Sequence, residues 1–303
     1  MIRISSDQCV YFMNPSNPPV AEAAPGDTVL FETRDCWGSD AQGRNNRLVK
    51  DGRSYGNPAT GPLRVQGAQP GDVLAVHILD VQVAPEGGMV ARPNVGALGH
   101  HIAKEERKSI PITGGYAVFN DRIRLPIHPM IGVIGTAPAT DDVPNTTPGP
   151  HGGNMDTRLI AAGAVLYLPV FVDGANLAMG DVHAVMADGE VVICGVELPA
   201  EVMVKVEVIK GSALTGGPLP SPVLEAGDSL YCIASAKDLD EAQTMALDHT
   251  MSFLKARLPL SVNEIGMLMS LVCNLQISQV VDPLKTVRVE IPKGPFASYG
   301  LSF

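Results

Sequence analysis

Residues 179–197 read MGDVHAVMADGEVVICGVE, with Asp181 and His183 two positions apart. In an extended strand that spacing sets both side chains on one face. A carboxylate and an imidazole converging from one strand form half of a metal or acid/base site. The Asp188-Gly189 pair predicts a hairpin turn, and the register of that turn decides what joins them. A two-residue loop puts Ala187 opposite Glu190 and His183 opposite Cys194, with Glu197 on the far face. A three-residue loop with Gly189 in a left-handed bulge puts Met186 opposite Glu190, and Ile193, Gly195 and Glu197 then share the face of Asp181 and His183. The second register is favoured because it gives a carboxylate in the apolar run VVICGVE a reason to be there. The bland alternative makes Asp181 a turn residue, His183 a hydrogen-bonded core side chain and Glu197 a surface charge at a strand end.

Three other clusters carry reactive types. Glu32-Thr33-Arg34-Asp35-Cys36-Trp37 holds the only Trp beside an Asp and a Cys. His151-Gly152-Gly153-Asn154-Met155-Asp156 follows a Pro-rich loop, and its glycines permit close approach of backbone to a ligand. The turn-rich stretch at 55–62 is either a pocket wall or a plain connection. Among the other histidines, His100 and His101 adjoin charged residues and read as solvated, whereas His77, His128 and His249 read as structural. His151 is open between the two roles.

The elements that must position these residues are mostly strands. Pro25-Gly26-Asp27, Pro70-Gly71-Asp72 and Ala226-Gly227-Asp228 each feed an apolar run. Gly supplies the positive φ and Asp closes the turn with its side chain. Further strands are expected at 63–65, 75–83, 165–172, 182–186, 191–196, 202–209 and 286–291. Punctuated by 31 Gly and 25 Pro, these read as a mainly β chain, a two-sheet sandwich with long loops over residues 1–235. Residues 236–303 read as an α+β portion packed on it, within a single domain. There, Asp238 and Ser261, each with a Glu three residues on, cap two helices. The second runs to about Cys273 and is followed by a strand at 275–281. Met267 and Met269 read as core.

The 303 residues, 45% hydrophobic, suffice for a substantial core. A net charge of −10 with no basic cluster argues against nucleic acid or an anionic membrane as partner. No run approaches a membrane span, and the first residues lack the order of a signal peptide, so a cytoplasmic location is expected. The five cysteines are widely spaced without a CxxC, so neither a disulfide framework nor a zinc knuckle is indicated.

Phrases spread over the chain resemble the acetamidase/formamidase family: NPATGPLRVQGAQPGD at 57–72, IGVIGTAP at 131–138, HGGNMD at 151–156, LYLPVFVDGA and GDVHAVMADGE within 166–190, and SLVCNLQISQVVDP at 270–283. The ordered combination is specific where any one phrase is weak. The resemblance implies hydrolysis of short aliphatic amides to carboxylate and ammonia, a β-rich fold and a homo-oligomer. It leaves the mechanism open. Amide cleavage needs a nucleophile, oxyanion stabilisation and a proton donor to nitrogen. Residue types suggest a divalent metal held by Asp35, Asp181 and His183, with Glu197 or Asp156 as a further ligand. Zinc is the first choice, and calcium or manganese suits an oxygen-rich set. Glu197 or Glu190 would shuttle the proton, with Asp156 the remaining catalytic candidate. Asn154 would orient a small neutral amide, with Trp37 and Gly153 beside it. Two competitors stand: a thiol amidase using Cys36 with Asp35 or Glu32 nearby, and a non-catalytic sandwich with a structural metal.

Overall fold

The computed structural model describes residues 1–45, 47–50 and 52–303. Its largest sheet has nine strands, in the order Ile2–Ile4, Thr28–Glu32, Ala200–Ile209, Val73–Val83, Val165–Pro169, Val223–Ala226, Ser229–Ala236, Lys285–Pro292, Asn274–Gln279. A six-stranded sheet runs Gly152–Asn154, Met130–Gly135, Leu177–His183, Ala59–Val65, Cys9–Val10, with Ala21–Ala23 also paired to Ala59–Val65. A four-stranded sheet spans Glu86–Ala91 to Arg124–Pro126. The fold is mainly β, as the spacing of turns predicts.

Alternation along the strands explains the layering. In Val73–Val83, Leu74, Val76 and Ile78 point into a core shared with Leu63, Ile131, Ile134, Leu177, Met179 and Val182 of the six-stranded sheet. Val73 and Ala75 face the other way, onto Phe253, Leu254, Ile265 and Met269. A period of two thus serves both faces of one strand. The large sheet is therefore covered by the six-stranded sheet on one side and by helices on the other.

Those helices are α1 (Leu239–Arg257) and α2 (Val262–Val272). Asp238 accepts from the backbone N–H of Glu241, and Ser261 with Glu264 completes a reciprocal capping box. Such caps are local chemistry worth about 1 kcal/mol each, which is why the sequence shows them. Met269 is buried, but Met267 is 66% exposed on the outer face of α2, correcting its assignment to the core. Among the described residues no helix is long and apolar enough to cross a membrane, and all five cysteines are free thiols.

Several turns form as their sequences dictate. Gly26 and Gly71 hold φ of 93° and 91°. Asp27 and Asp72 close the turns by accepting from the N–H groups of Ala24 and Gln69.

The expected hairpin is the main departure. A turn does form, with the Glu190 N–H donating to the Ala187 carbonyl and Gly189 at φ 100°. The return segment 191–196 is not a strand, because Glu190 and Ile193 take φ of 50° and 82°, outside the extended range. Pairing resumes only later: Ala184 N–H bonds to Val196 O, and His183 stands opposite Glu197. Neither hairpin register is adopted. Gly189 instead bridges in parallel to Gln279, donating to Ser278 O and accepting from Val280 N. Its loop is thereby attached to the edge of the nine-stranded sheet.

Candidate active site

The strand Leu177–His183 runs antiparallel to Met130–Gly135, pairing Met130 with His183 and Val133 with Gly180. Between those pairs Asp181 takes a φ of 55° and kinks the strand. It lies across from Gly132, where a Cβ would stand 2.5 Å from Asp156 Oδ1 and 2.9 Å from Asp181 Oδ2. The glycine leaves room for two carboxylates. Gly195 acts similarly at the imidazole, since a Cβ there would meet His183 Cγ at 2.8 Å.

The three residues the sequence links, Asp181, His183 and Glu197, do converge. His183 Nε2 lies 2.9 Å from Glu197 Oε1 and 3.6 Å from Asp181 Oδ1. Glu197 arrives as the direct cross-strand neighbour of His183, with Gly195 N–H donating to its Oε1 at 3.1 Å. Two compact donor groups result: Asp156, His183 and Glu190, and beside them Cys36, Asp181 and Glu197, each with its ligand atoms within 4.8 Å of one another. The carboxylates and His183 are all buried, Asp156 and His183 completely. Both oxygens of Asp156, both ring nitrogens of His183, and one oxygen each of Asp181, Glu190 and Glu197 lack an aligned hydrogen-bond partner. Buried polar atoms are normally satisfied.

Two contributors were missed in the sequence. Asp282 accepts from Asn154 Nδ2 at 2.8 Å and faces Asp156. Its one signal is a carboxylate between Val281 and Pro283 directly after an apolar strand. Asn57, in the stretch left open as wall or connection, donates from Nδ2 to Asp181 Oδ2 at 2.8 Å. These residues floor a pocket of about 240 Å³ whose walls include Trp37, Val90, Val95, Ile193 and Val281. A hollow of 560 Å³ on the other side of Trp37 shares Glu197 with this pocket but not Asp181, Glu190 or Asp282, and one of 410 Å³ has none of these carboxylates.

Not every expected residue takes part. Asp35 accepts from the N–H groups of Trp37 and Ser39 through Oδ1, so its carboxylate closes its own loop and is outside both donor groups. The cause is local: a short side chain finds backbone donors two and four residues on before it can reach the cluster. Gly153 packs away from the pocket, where a Cβ would strike Thr147 O at 2.6 Å. His151 is buried and held neutral, its pKa lowered by desolvation to about 4. Trp37 lines the pocket with Arg107 5.6 Å from its ring centroid.

Electrostatics follow from burial and crowding. Desolvation, then Asp181, raises Asp156 to about 6. Desolvation raises Glu197 to about 8, with His183 opposing and Asp181 adding to the rise. Glu190 and Asp282 are pushed well above the carboxylate range by burial and by Asp156. Burial disfavours charge on His183, but Glu197 and Asp181 outweigh it and hold the ring well above its ordinary value. Burial also drives the Cys36 thiol well up, with Glu197 and Asp181 adding to it. Groups shifted in this way by burial and by specific charged neighbours, gathered at one pocket, make it the candidate site.

The model of the Acetamidase/Formamidase family matches residues 6–147 and 142–298. The chain belongs to the acetamidase/formamidase family. An acetamidase structure from Bacillus halodurans is 44% identical at a TM-score of 0.91, covering 99% of this chain and 100% of that one. A recombinant predicted acetamidase/formamidase from Thermoanaerobacter tengcongensis is 42% identical at 0.92, covering 100% and 99%. The acetamidase of Mycolicibacterium smegmatis is 27% identical over 80% of this chain and 78% of its own length. As a member, the chain is an amidohydrolase, which sets aside the non-catalytic reading.

Proposed function

We propose that the protein hydrolyses short aliphatic amides such as formamide and acetamide, using a water activated at the His183 cluster. The observation that carries this is the set of buried oxygens and nitrogens of Asp156, Asp181, His183, Glu190 and Glu197 that converge without aligned hydrogen bonds. One imidazole among carboxylates fits a divalent cation, zinc first and manganese or calcium next. Such a cation, when bound, lowers the pKa of water towards 7 and polarises a carbonyl.

The chain's own residues supply the rest. His183, Asp156 and Asp181 would hold the cation, with Asn57 fixing the Asp181 carboxylate by its hydrogen bond. Glu197 or Glu190 takes the proton from water and delivers it to the leaving nitrogen. Asn154 donates to Asp282, so its buried, unpartnered Oδ1 is left to accept from the substrate NH₂. The 240 Å³ pocket admits a small amide. The thiol route is disfavoured because burial and two neighbouring carboxylates oppose a Cys36 thiolate.

The test is ammonia release from formamide, acetamide and longer amides by purified protein, with metal content measured alongside. Turnover should fall as the acyl chain grows and disappear on prolonged chelation. Absence of turnover on every short amide would overturn the reading, and full activity in metal-free protein would overturn its metal half.

A further inference from the structure

Among the described residues, eight other than glycine hold a positive φ. Asn57, Asp181 and Glu190 line the pocket, and Asp156 belongs to the donor group beneath it. The fifth at this site is Ile193, at φ 82°. Asn and Asp tolerate that conformation, whereas a β-branched residue there is a genuine outlier. Glycine or asparagine would sit at this position without strain. The surrounding chain enforces it: Ile193 N–H donates to Glu190 O at 2.8 Å, Leu98 N–H donates to Val191 O, and the Cys194 thiol donates to Val90 O.

Each of the four polar residues in this set brings a carboxylate or amide to the floor. We propose that Ile193 is held in the same way for its bulk, and that it sets the size limit on the acyl group. The inference rests on the amide-hydrolase reading above. The carbonyl and nitrogen of an amide go to the polar floor, so the alkyl end is left to the apolar walls. The turn from Glu190 to Ile193 ties this wall residue to the segment that carries a proton-handling carboxylate, whereas Val95 belongs to a separate loop. A methylene accepted or refused by an apolar pocket changes kcat/KM by about 10- to 200-fold.

The experiment measures kcat/KM for acetamide and butyramide in the wild type, Ile193→Gly, Ile193→Ala and Val95→Ala, with folding checked by circular dichroism. Ile193→Gly and Ile193→Ala should raise the butyramide-to-acetamide ratio about tenfold or more. Val95→Ala, in the same pocket on ordinary backbone, should move it less than about threefold. An unchanged ratio in both Ile193 variants, with the wild type active on acetamide, overturns the inference alone. So does an equal shift in Val95→Ala, or failure of both Ile193 variants to fold, which would make the residue structural. A wild type inactive on all short amides overturns the amide reading and this inference with it.

Discussion

Gly132 sets how closely two carboxylates can approach. Because a Cβ there would stand 2.5 Å from Asp156 Oδ1 and 2.8 Å from the Asp181 carbonyl, Gly132→Ala should displace the floor while the surrounding strand persists. We expect metal content and turnover to fall together with little change in far-UV circular dichroism; retention of both would show that the carboxylates need not be so close. Glu197→Gln keeps shape but removes a base, so turnover should drop roughly 10²-fold or more. His183→Ala should lose both ion and activity while staying folded, since it removes one ring from a large core. Cys36→Ser should keep most activity, and complete loss with the ion retained would revive the thiol route. At this scale Asp181, His183 and Glu197 were legible because each is a charged or titratable residue inside an apolar run. Asp35 misled because its type fits a ligand as well as a local turn, and the turn, closed by Trp37 and Ser39 two and four residues on, is the role it takes. Asp282 and Asn57 were overlooked because each sits beside a proline in what reads as ordinary turn chemistry.

The loop from Ala184 to Gly195 carries Glu190, and its attachment is ionic as well as through the backbone. Asp188 accepts from Arg288 at 2.7 Å and from Arg158 at 3.2 Å, and Arg288 is 1% exposed. Asp188→Ala would leave a buried guanidinium without its anion, at a cost of about 3 kcal/mol because Asp188 itself is partly exposed. Urea unfolding should show that loss, and turnover should fall beyond it as Glu190 is released; unchanged kinetics would place Glu190 outside the chemistry. The helix caps and the Gly-Asp turns were readable in sequence because their partners lie within four residues. The hairpin was not. Asp188-Gly189 encodes a turn, but where the chain goes afterwards is decided by Ser278, Val280 and Arg288, about ninety to a hundred residues away.

Across the whole molecule, the sandwich allows an acid-rich basin to be built against a dry core, and the cost of that basin depends on pH. Asp156 at about 6 and Glu197 at about 8 bind protons more tightly folded than unfolded, where carboxyls titrate near 4. With more protons bound in the folded state, the contribution of these two groups is fullest below about pH 4 and is lost as pH rises through 6 and 8, whereas His151 and His249, lowered by burial to about 4, work the opposite way only below about 6.5. Metal-free protein should therefore melt at progressively lower temperature from pH 6.5 to pH 8.5, and adding the proposed cation should flatten that slope; a metal-free melting temperature that climbs over this range would contradict the burial argument. The bridge from Gly189 to the outermost strand of the nine-stranded sheet has a different consequence. Its two backbone bonds, Gly189 N to Ser278 O and Val280 N to Gly189 O, connect the loop that carries Glu190 to a strand reached through α2. The two segments then belong to one cooperative opening unit, so the amides of Gly189 and Val280 should exchange with solvent deuterium at matched rates. A protease nick between α2 and that strand would silence the enzyme while most of the sandwich remained folded, making turnover an early reporter of damage at the C-terminal end.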